Sequence, residues 1–327
     1  MCVVVQDKID FVITWVDGND PQWQIEKERY TGIQYNSDIC RYRDWDLLRY
    51  WFRGVENFAP WINRIYFVTC GHKPIWLNDK HDKLMIVNHK DFIPIKYLPT
   101  FSSHTIELNI HRINGLSDKF VYFNDDVFLI NKVRPDDFFL NGKPCDSAIL
   151  TALQPSDDII TNIIFNNMKI INRYFKKNSL DFNRFISWKY GMYNVKSFFM
   201  LPFHKYSMFL DFHYSSNFLK STFEKVWREE KILLDATCKH KFRNKDDVNQ
   251  WLFRYWQLAS NNFSKHYIIG KLYNIGDHNL ASIIKKQKYK IICCNDVDEN
   301  IDFEVQKNIL KEAFENILPN KSKFEIS

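Results

Sequence analysis

Glycine is scarce in this 327-residue chain: there are nine, and no two stand closer than six residues apart. Neither the G-x-G-x-x-G dinucleotide turn nor the G-x-x-x-x-G-K-[ST] phosphate loop can be built at that spacing. A bound nucleotide would have to be held without a glycine cradle. Long apolar runs are missing as well, because no uncharged stretch exceeds ten residues. A membrane-spanning helix needs roughly 20 apolar residues, so none is expected. The opening Met1–Asp7 lacks a basic segment leading into an apolar core, and no secretory signal is read there. Cysteine spacing excludes more. The seven cysteines include no C-x-x-C pair, and the number is odd for a disulfide framework. They read as small apolar side chains of a reduced, cytoplasmic protein. The charge, 45 basic against 39 acidic side chains for a net +6, comes with no arginine-rich tract and no zinc-finger spacing. Nucleic acid is therefore not expected as a partner. A phosphorylated substrate or an anionic inner-membrane surface is compatible with that charge.

What is present is a repeating alternation. Ile9–Val16 is rich in β-branched and aromatic residues and stops at Asp17-Gly18-Asn19-Asp20-Pro21. Arg64–Thr69, Leu84–Asn88 and Lys119–Phe123 read as further short buried strands. Leu47, Leu48, Trp51, Val55 and Phe58 recur at helical spacing over Asp44–Phe58, ahead of Pro60. His104–Ile113 reads as a helix entered through Ser102 or Ser103. Strands alternating with helices predict a Rossmann-like α/β fold, a largely parallel sheet flanked by helices. This core is expected over residues 1–150, followed by a mainly helical subdomain over 151–285. In the latter, Asn217–Trp227 and Asp246–Ser260 read as helices. Residues 286–327 are expected to bring a late strand, Tyr289–Cys294, back to the same sheet and to close with an amphipathic helix over Asp302–Leu318. That helix is expected to pack on the domain. The other use for Lys307, Lys311, Lys321 and Lys323 is peripheral contact with an anionic inner-membrane surface.

Ligands of open parallel sheets sit outside the carboxyl ends of the strands, so polar residues just after a strand draw attention. Asn124-Asp125-Asp126 emerges where Phe120–Phe123 ends. Two carboxylates about 4 Å apart repel by roughly 4 kcal/mol at an effective dielectric of 20, and a divalent cation turns that repulsion into attraction. Oxygen ligands of this kind suit Mg²⁺ or Mn²⁺. A solvated turn is the plain alternative. His104, Glu107 and His111 fall at i, i+3 and i+7, with Arg112 adjacent, and so share a helix face. That face would line a substrate pocket, ligate zinc, or serve only as a hydrogen-bonded surface. His213 and His240-Lys241-Phe242-Arg243 stand just before helices. Arginine offers a fork of donors for phosphate, and a neutral histidine can take a proton from a hydroxyl. By position alone each of these is equally well a surface or capping residue.

The order of these segments is similar to one known family. Ile9–Pro21 (IDFVITWVDGNDP) resembles the first conserved region of the Stealth sugar-phosphate transferases. The second is matched through Arg43-Asp44, Leu48-Arg49-Tyr50, Ala59-Pro60-Trp61, Ile65–Thr69, Trp76-Leu77-Asn78 and Leu98–Ser103. It runs on through His111-Arg112-Ile113, Gly115-Leu116-Ser117, Asn124-Asp125-Asp126 and Pro135–Phe138. A third region resembles His213 through His240–Arg243, and a fourth Cys294-Asn295-Asp296, with Cys293 standing where the family usually has another residue. His104 also departs from the pattern and is not carried over as a catalytic group.

The family includes bacterial capsule and cell-surface polysaccharide phosphotransferases and the enzyme that tags lysosomal glycoproteins with GlcNAc-1-phosphate. With no membrane span or large insert, this chain resembles the bacterial branch. The resemblance implies transfer of a hexose-1-phosphate from a UDP- or CMP-linked sugar to a hydroxyl of a lipid-linked or oligosaccharide acceptor. A phosphodiester forms and a nucleoside monophosphate leaves. Mg²⁺ or Mn²⁺ is assigned to Asp126, supported by Asp125, Asn295 and Asp296. His213 is the expected base and Arg243 the phosphate clamp, although Asp125 or Asp126 could also accept the proton. Asp17 and Asn19 are expected to hold the donor, and Glu107, His111, Arg112 and His240 to line the substrate pocket. The rival readings are a metal-dependent glycosyltransferase using the same donor and, from another class, a non-catalytic glycan-binding protein.

Overall fold

A computed structural model of the chain describes residues 8–31, 43–177, 182–297 and 301–326, so the Met1–Asp7 opening lies outside the described residues. The main sheet takes β1 (Ile9–Thr14), β2 (Ile65–Thr69), β3 (Leu84–Asn88) and β4 (Lys119–Phe123), all parallel. A second sheet contains β5 (Val127–Leu129), which follows β4 after three residues. Short ladders add β6 (Phe139–Leu140), β7 (Lys143–Asp146), β8 (Leu150–Thr151) and β9 (Met208–Phe209). β10 (Ser216–Leu219) joins the main sheet beside β4, running antiparallel, to give the order β10-β4-β1-β2-β3. β11 (Ser264–Lys265) pairs with β7, and β12 (Gly270–Asn274) and β13 (Ile291–Asn295) complete the second sheet in the order β12-β13-β5. The α/β class and the mostly parallel central sheet are as the sequence pattern predicts.

Strand alternation divides the core in two. Phe11, Ile13, Phe67, Val121 and Phe123 point into one apolar layer, and Val12, Tyr66, Val68, Phe120 and Tyr122 into the other. A strand buried on both faces reads as a near-continuous apolar run, as β1 does from Phe11 to Ile13, while its buried Asp10 is satisfied by the Asn63 amide and the Ser117 N–H. The first layer is closed by the helix Leu48–Phe58, the second sheet and the helix Phe303–Ile317. Gly54 lets the Leu48–Phe58 helix lie against β5, since a Cβ there would meet the Leu129 carbonyl oxygen at 2.8 Å. The second layer is closed by the helices Ile159–Tyr174, Lys220–Glu229, Lys231–Lys239 and Trp251–Ala259. Second-half elements thus share one core with the first half, and β10 even extends its sheet.

Four expected elements come out differently. The helix expected over Asp246–Ser260 starts only at Trp251, because the Asp247 carboxylate accepts the Asn244 N–H and closes a turn ahead of it. The Leu48–Phe58 helix starts later than Asp44, because the Asp44 carboxylate accepts the Asp46 N–H in a tight turn (2.7 Å) where Asp46 is left-handed. Asn217–Leu219, read as the start of a helix, belongs instead to the strand Ser216–Leu219, since Phe218 packs on Phe120 at the sheet edge and the helix begins only at Lys220. The late strand does not return to the main sheet. It runs parallel to β12 and antiparallel to β5, so the chain leaving β4 is what carries the two sheets together.

The closing helix packs through Leu310, Ala313 and Phe314, with Lys311 on Asp46 and Lys307 on the Asp44 carbonyl. Of the two uses expected for it, packing is the one seen. Among the described residues no helix is long and apolar enough to cross a membrane.

Candidate active site

The carboxyl ends of β1, β2 and β4, together with the end of β13, converge on one region. After β4 the Asn124 carbonyl accepts the Val127 N–H, and this turn lifts Asp125 and Asp126 between the two sheets. The Cys294 N–H donates to the Asp126 carbonyl (2.9 Å), and the Cys293 thiol donates to Asp126 Oδ2 (3.3 Å). Asp126 Oδ1 is buried with no hydrogen-bond partner. Buried polar atoms are rarely left so, and each exception calls for a ligand or a role.

His213 completes the cluster. One ligating atom each from Asp126, His213 and Cys293 lies within 4.8 Å of the others. His213 has a left-handed backbone, φ 50°, and its N–H donates to Asp211 Oδ1 (2.5 Å). A non-glycine residue is held there only when its surroundings over-determine it. The surroundings are a buried ion-pair network: Arg254 forks onto Asp146 at 2.8 and 2.8 Å and reaches Asp211 at 3.5 Å. Burial opposes the Arg254 charge, but Asp146 and Asp211 more than offset it and the guanidinium pKa is raised.

Charge crowds the acidic loop. Asp125 remains open to solvent although protein atoms crowd around it. That desolvation, with Asp126 and Asp44 nearby, pushes its carboxyl up to about 7. Burial also raises Asp126, and His213 and the Cys293 thiol work against that rise. Both carboxyls are held where a positive charge would relieve them.

Asp296 is brought near but already engaged. Its carboxylate takes a bidentate fork from Arg43 (2.9 and 2.7 Å) and the Trp45 indole N–H (3.0 Å). The amide of Asn295 donates to Asn274 Oδ1 at the end of β12. Neither Asp125 nor Asp296 contributes an atom to the tight trio. At the end of β1 the Asp17 carboxylate accepts the N–H of Asn19 (2.9 Å), so one oxygen is spent shaping its own turn. The Asp17 N–H donates to His72 Nε2 (2.7 Å), and burial lowers the His72 pKa.

The helix face divides in two. At its start Ser103 accepts from Arg243 (2.8 Å), whose charge reaches Tyr122, itself bonded to Thr14 at the end of β1. His104 is not free to act on substrate, because it is buried on Asp247, which His240 shares. Buried Glu107 accepts the Gln250 N–H. His111 and Arg112 do not reach the cluster. The helix runs back toward the amino end of β4, where His111 feels Lys220, the residue after Leu219, which pairs with Lys119. Burial, then Arg112 and Lys220, push its imidazole down to about 3. His111 and Arg112 instead line a separate small cavity with Trp227 and Lys231, so their expected place in the pocket at the cluster is corrected. Zinc ligation by His104, Glu107 and His111 is corrected too, because among the described residues the ligating atoms that gather are those of Asp126, His213 and Cys293. A cavity lined by Trp61, Asp137, His266 and Lys290 lies at the amino end of β13, away from Asp126 at its far end.

The sequence matches known proteins along its length. Conserved region 1 of the Stealth proteins matches residues 7–35, and conserved region 2 matches residues 41–146. The capsular polysaccharide phosphotransferase WcwK of Streptococcus pneumoniae is 42% identical over 98% of this chain and 98% of its own. The chain belongs to the Stealth family of bacterial phosphotransferases.

Other Stealth relatives are the receptor polysaccharide phosphotransferase WefC of Streptococcus oralis, 40% identical over 98% of this chain and 100% of its own, and the exopolysaccharide phosphotransferase cps2G of Lactiplantibacillus plantarum, 39% identical over 97% and 96%. Among solved structures the galactosyltransferase LgtC aligns over 93% of this chain and 95% of its own at 11% identity, with a TM-score of 0.39, too distant to bear on the chemistry. Within this Stealth chain, sequence reasoning passed over His72, Arg43 as the partner of Asp296, and the Asp146–Arg254–Asp211 support of His213. His72 stands three residues beyond β2 and obeys the same rule that picked out Asp17; the others are long-range pairs with no local signal.

Proposed function

We propose that this phosphotransferase moves a sugar-1-phosphate from a nucleotide-diphosphate sugar to a hydroxyl of a growing surface polysaccharide. A phosphodiester forms and the nucleoside monophosphate departs. The observation that carries this reading is the gathering of Asp126 and His213, with ligating atoms within 4.8 Å, at the carboxyl ends of the parallel strands. A donor with a single phosphorus would expel a nucleoside when attacked there, so the reading commits to a diphosphate-linked donor rather than a CMP-linked one.

His213 takes the proton of the acceptor hydroxyl, a step typically worth 10²–10⁴ in rate. The oxygen bonds to the sugar-proximal phosphorus, and the bridging P–O bond breaks with its electron pair on the nucleotide phosphate. Charge on the phosphoryl oxygens is what the protein must stabilise. Arg243 serves as the clamp for that charge, held by Ser103. The orphaned Asp126 oxygen and the raised Asp125 carboxyl fit a hard divalent cation. Asp125 and Asp126 would hold Mg²⁺ or Mn²⁺, which when bound would neutralise diphosphate charge. Asp296 is read as positioning Arg43 rather than as a ligand.

The test is a panel of labelled nucleotide-sugars with chelator-treated enzyme, with and without Mg²⁺ or Mn²⁺. Release of nucleoside monophosphate with a phosphodiester product, restored by the cation and lost in His213→Ala, is the expected result. Release of nucleoside diphosphate with a glycosidic product would overturn the reaction, and undiminished turnover in excess EDTA would remove the cation.

A further inference from the structure

The segment Phe182–Tyr206 departs from the rest of the surface. Trp188, Met192, Phe198, Phe199 and Phe203 are each 60–85% exposed, within sixteen residues of chain. Large apolar side chains exposed so densely along one short segment, with Phe198 and Phe199 in ring contact, point to an interaction face. It is not a loose loop. The Tyr190 hydroxyl accepts the Ala148 N–H, and the buried Ser197 hydroxyl accepts the Leu150 N–H at the start of β8. Lys177 Nζ binds the Met200 and Leu201 carbonyls at 3.0 and 2.7 Å, and Asn194 bridges back to Ser187. The inward residues are thus fixed, and the outward aromatics are held in water by the same bonds.

Charge identifies the partner. No residue from Phe182 to Leu210 is acidic, while Arg184, Lys189, Lys196 and Lys205 are interleaved with the aromatics, and Lys196 and Lys205 are exposed. Aromatic side chains that enter the headgroup boundary, with lysines beside them for anionic lipid, are the signature of a surface lying in a bilayer interface. We infer that this face docks the enzyme on an anionic phospholipid bilayer. The expected peripheral contact therefore moves from the closing helix to this one. Tyr193 packs edge-on against Phe212 (5.0 Å), the neighbour of His213, so docking brings the bilayer toward the segment that carries His213.

Co-sedimentation of the full chain with vesicles tests this, comparing phosphatidylglycerol–phosphatidylcholine mixtures with phosphatidylcholine alone. Binding to the mixed vesicles, weakened by salt as screening requires, is expected. Replacing Phe198 and Phe199 together with Ser should weaken it by about tenfold or more, given what burial of two such side chains contributes. Lys196→Glu with Lys205→Glu should remove the preference for anionic vesicles. A second readout needs no loss of binding: quenching of tryptophan fluorescence by brominated lipid should fall in Trp188→Phe. Failure of the wild type to bind anionic vesicles, or equal binding by the Phe198→Ser/Phe199→Ser protein, overturns the inference. So does lipid-independent self-association that these substitutions abolish without any vesicle binding, which would assign the face to a second copy. Transfer to a water-soluble acceptor, measured on the same variants and expected to be unchanged, keeps this outcome separate from that of the proposed reaction.

Discussion

Asp126 and Asp247 each carry a carboxylate into the protein body, and their surroundings differ atom by atom. Asp247 is fully buried and satisfied: Oδ2 accepts from His104 Nδ1 (3.0 Å) and the Asn244 N–H (2.9 Å), and Oδ1 from His240 Nδ1 (2.6 Å). Asp126 has a thiol on one oxygen and nothing on the other. A buried charge with its hydrogen bonds complete locks segments together, and one left incomplete is poised for something that binds. The loop around Asp247 therefore reads as scaffold, joining the start of the Ser103–Asn109 helix to the segment that carries Arg243. The loop around Asp126 reads as machinery.

The strongest way to break that contrast is Asp126→Asn. Turnover should fall by roughly 10³-fold, the scale seen when a charge-stabilising group is lost from an active site. Its thermal midpoint should hold or rise, because the substitution removes a carboxyl whose charged form the fold disfavours. A normal rate in the labelled-donor assay would turn Asp126 into scaffold as well. Asp247→Ala should show the opposite pattern. Leaving two imidazoles and a backbone N–H without their acceptor costs about 3–5 kcal/mol. A urea denaturation curve shifted to a much lower midpoint is expected, with activity lost only in proportion to folded protein. Unchanged stability with lost turnover would place Asp247 among the functional groups.

Much of this contrast could be read from the chain, and some could not. The apolar runs of β1, β2 and β4 announce buried parallel strands because both faces need covering. Asn124-Asp125-Asp126 stands out because a strand so apolar rarely ends in two acids without a reason. His111 misled, since a shared helix face says nothing about which end of the sheet each residue reaches. His104 and His111 are seven positions apart, roughly 10 Å along the axis at 1.5 Å per residue, which is enough to move His111 toward the opposite end of β4. Phe218 misled for a different reason: an edge strand of four residues and the first turn of a helix have nearly the same apolar spacing. Arg254, which fixes His213 through Asp211, could not have been found, because nothing local distinguishes it from the other polar residues of a buried helix. Long-range pairing is decided by the fold.

The smallest effect concerns Asp125, next to Asp126, and it sharpens the contrast from the side of stability. The folded protein holds this carboxyl up to about 7, against an ordinary value near 3.8 for the unfolded chain. Between those two values the folded state binds more protons than the unfolded one, so stability falls as pH rises through that window. The penalty is complete only above the folded value. Solvent access at Asp125 keeps it modest. Asp125→Asn cannot titrate, so the variant and the wild type should have similar thermal midpoints near pH 4 and diverge toward pH 8, where the variant is the more stable. Added Mg²⁺ should reverse the order at pH 8, since a bound cation turns two crowded carboxylates from a cost into an attraction that the amide cannot match. Parallel midpoint-against-pH curves in the absence of cation would mean that the acidic loop is as well satisfied as Asp247, and the difference between the two regions would be lost.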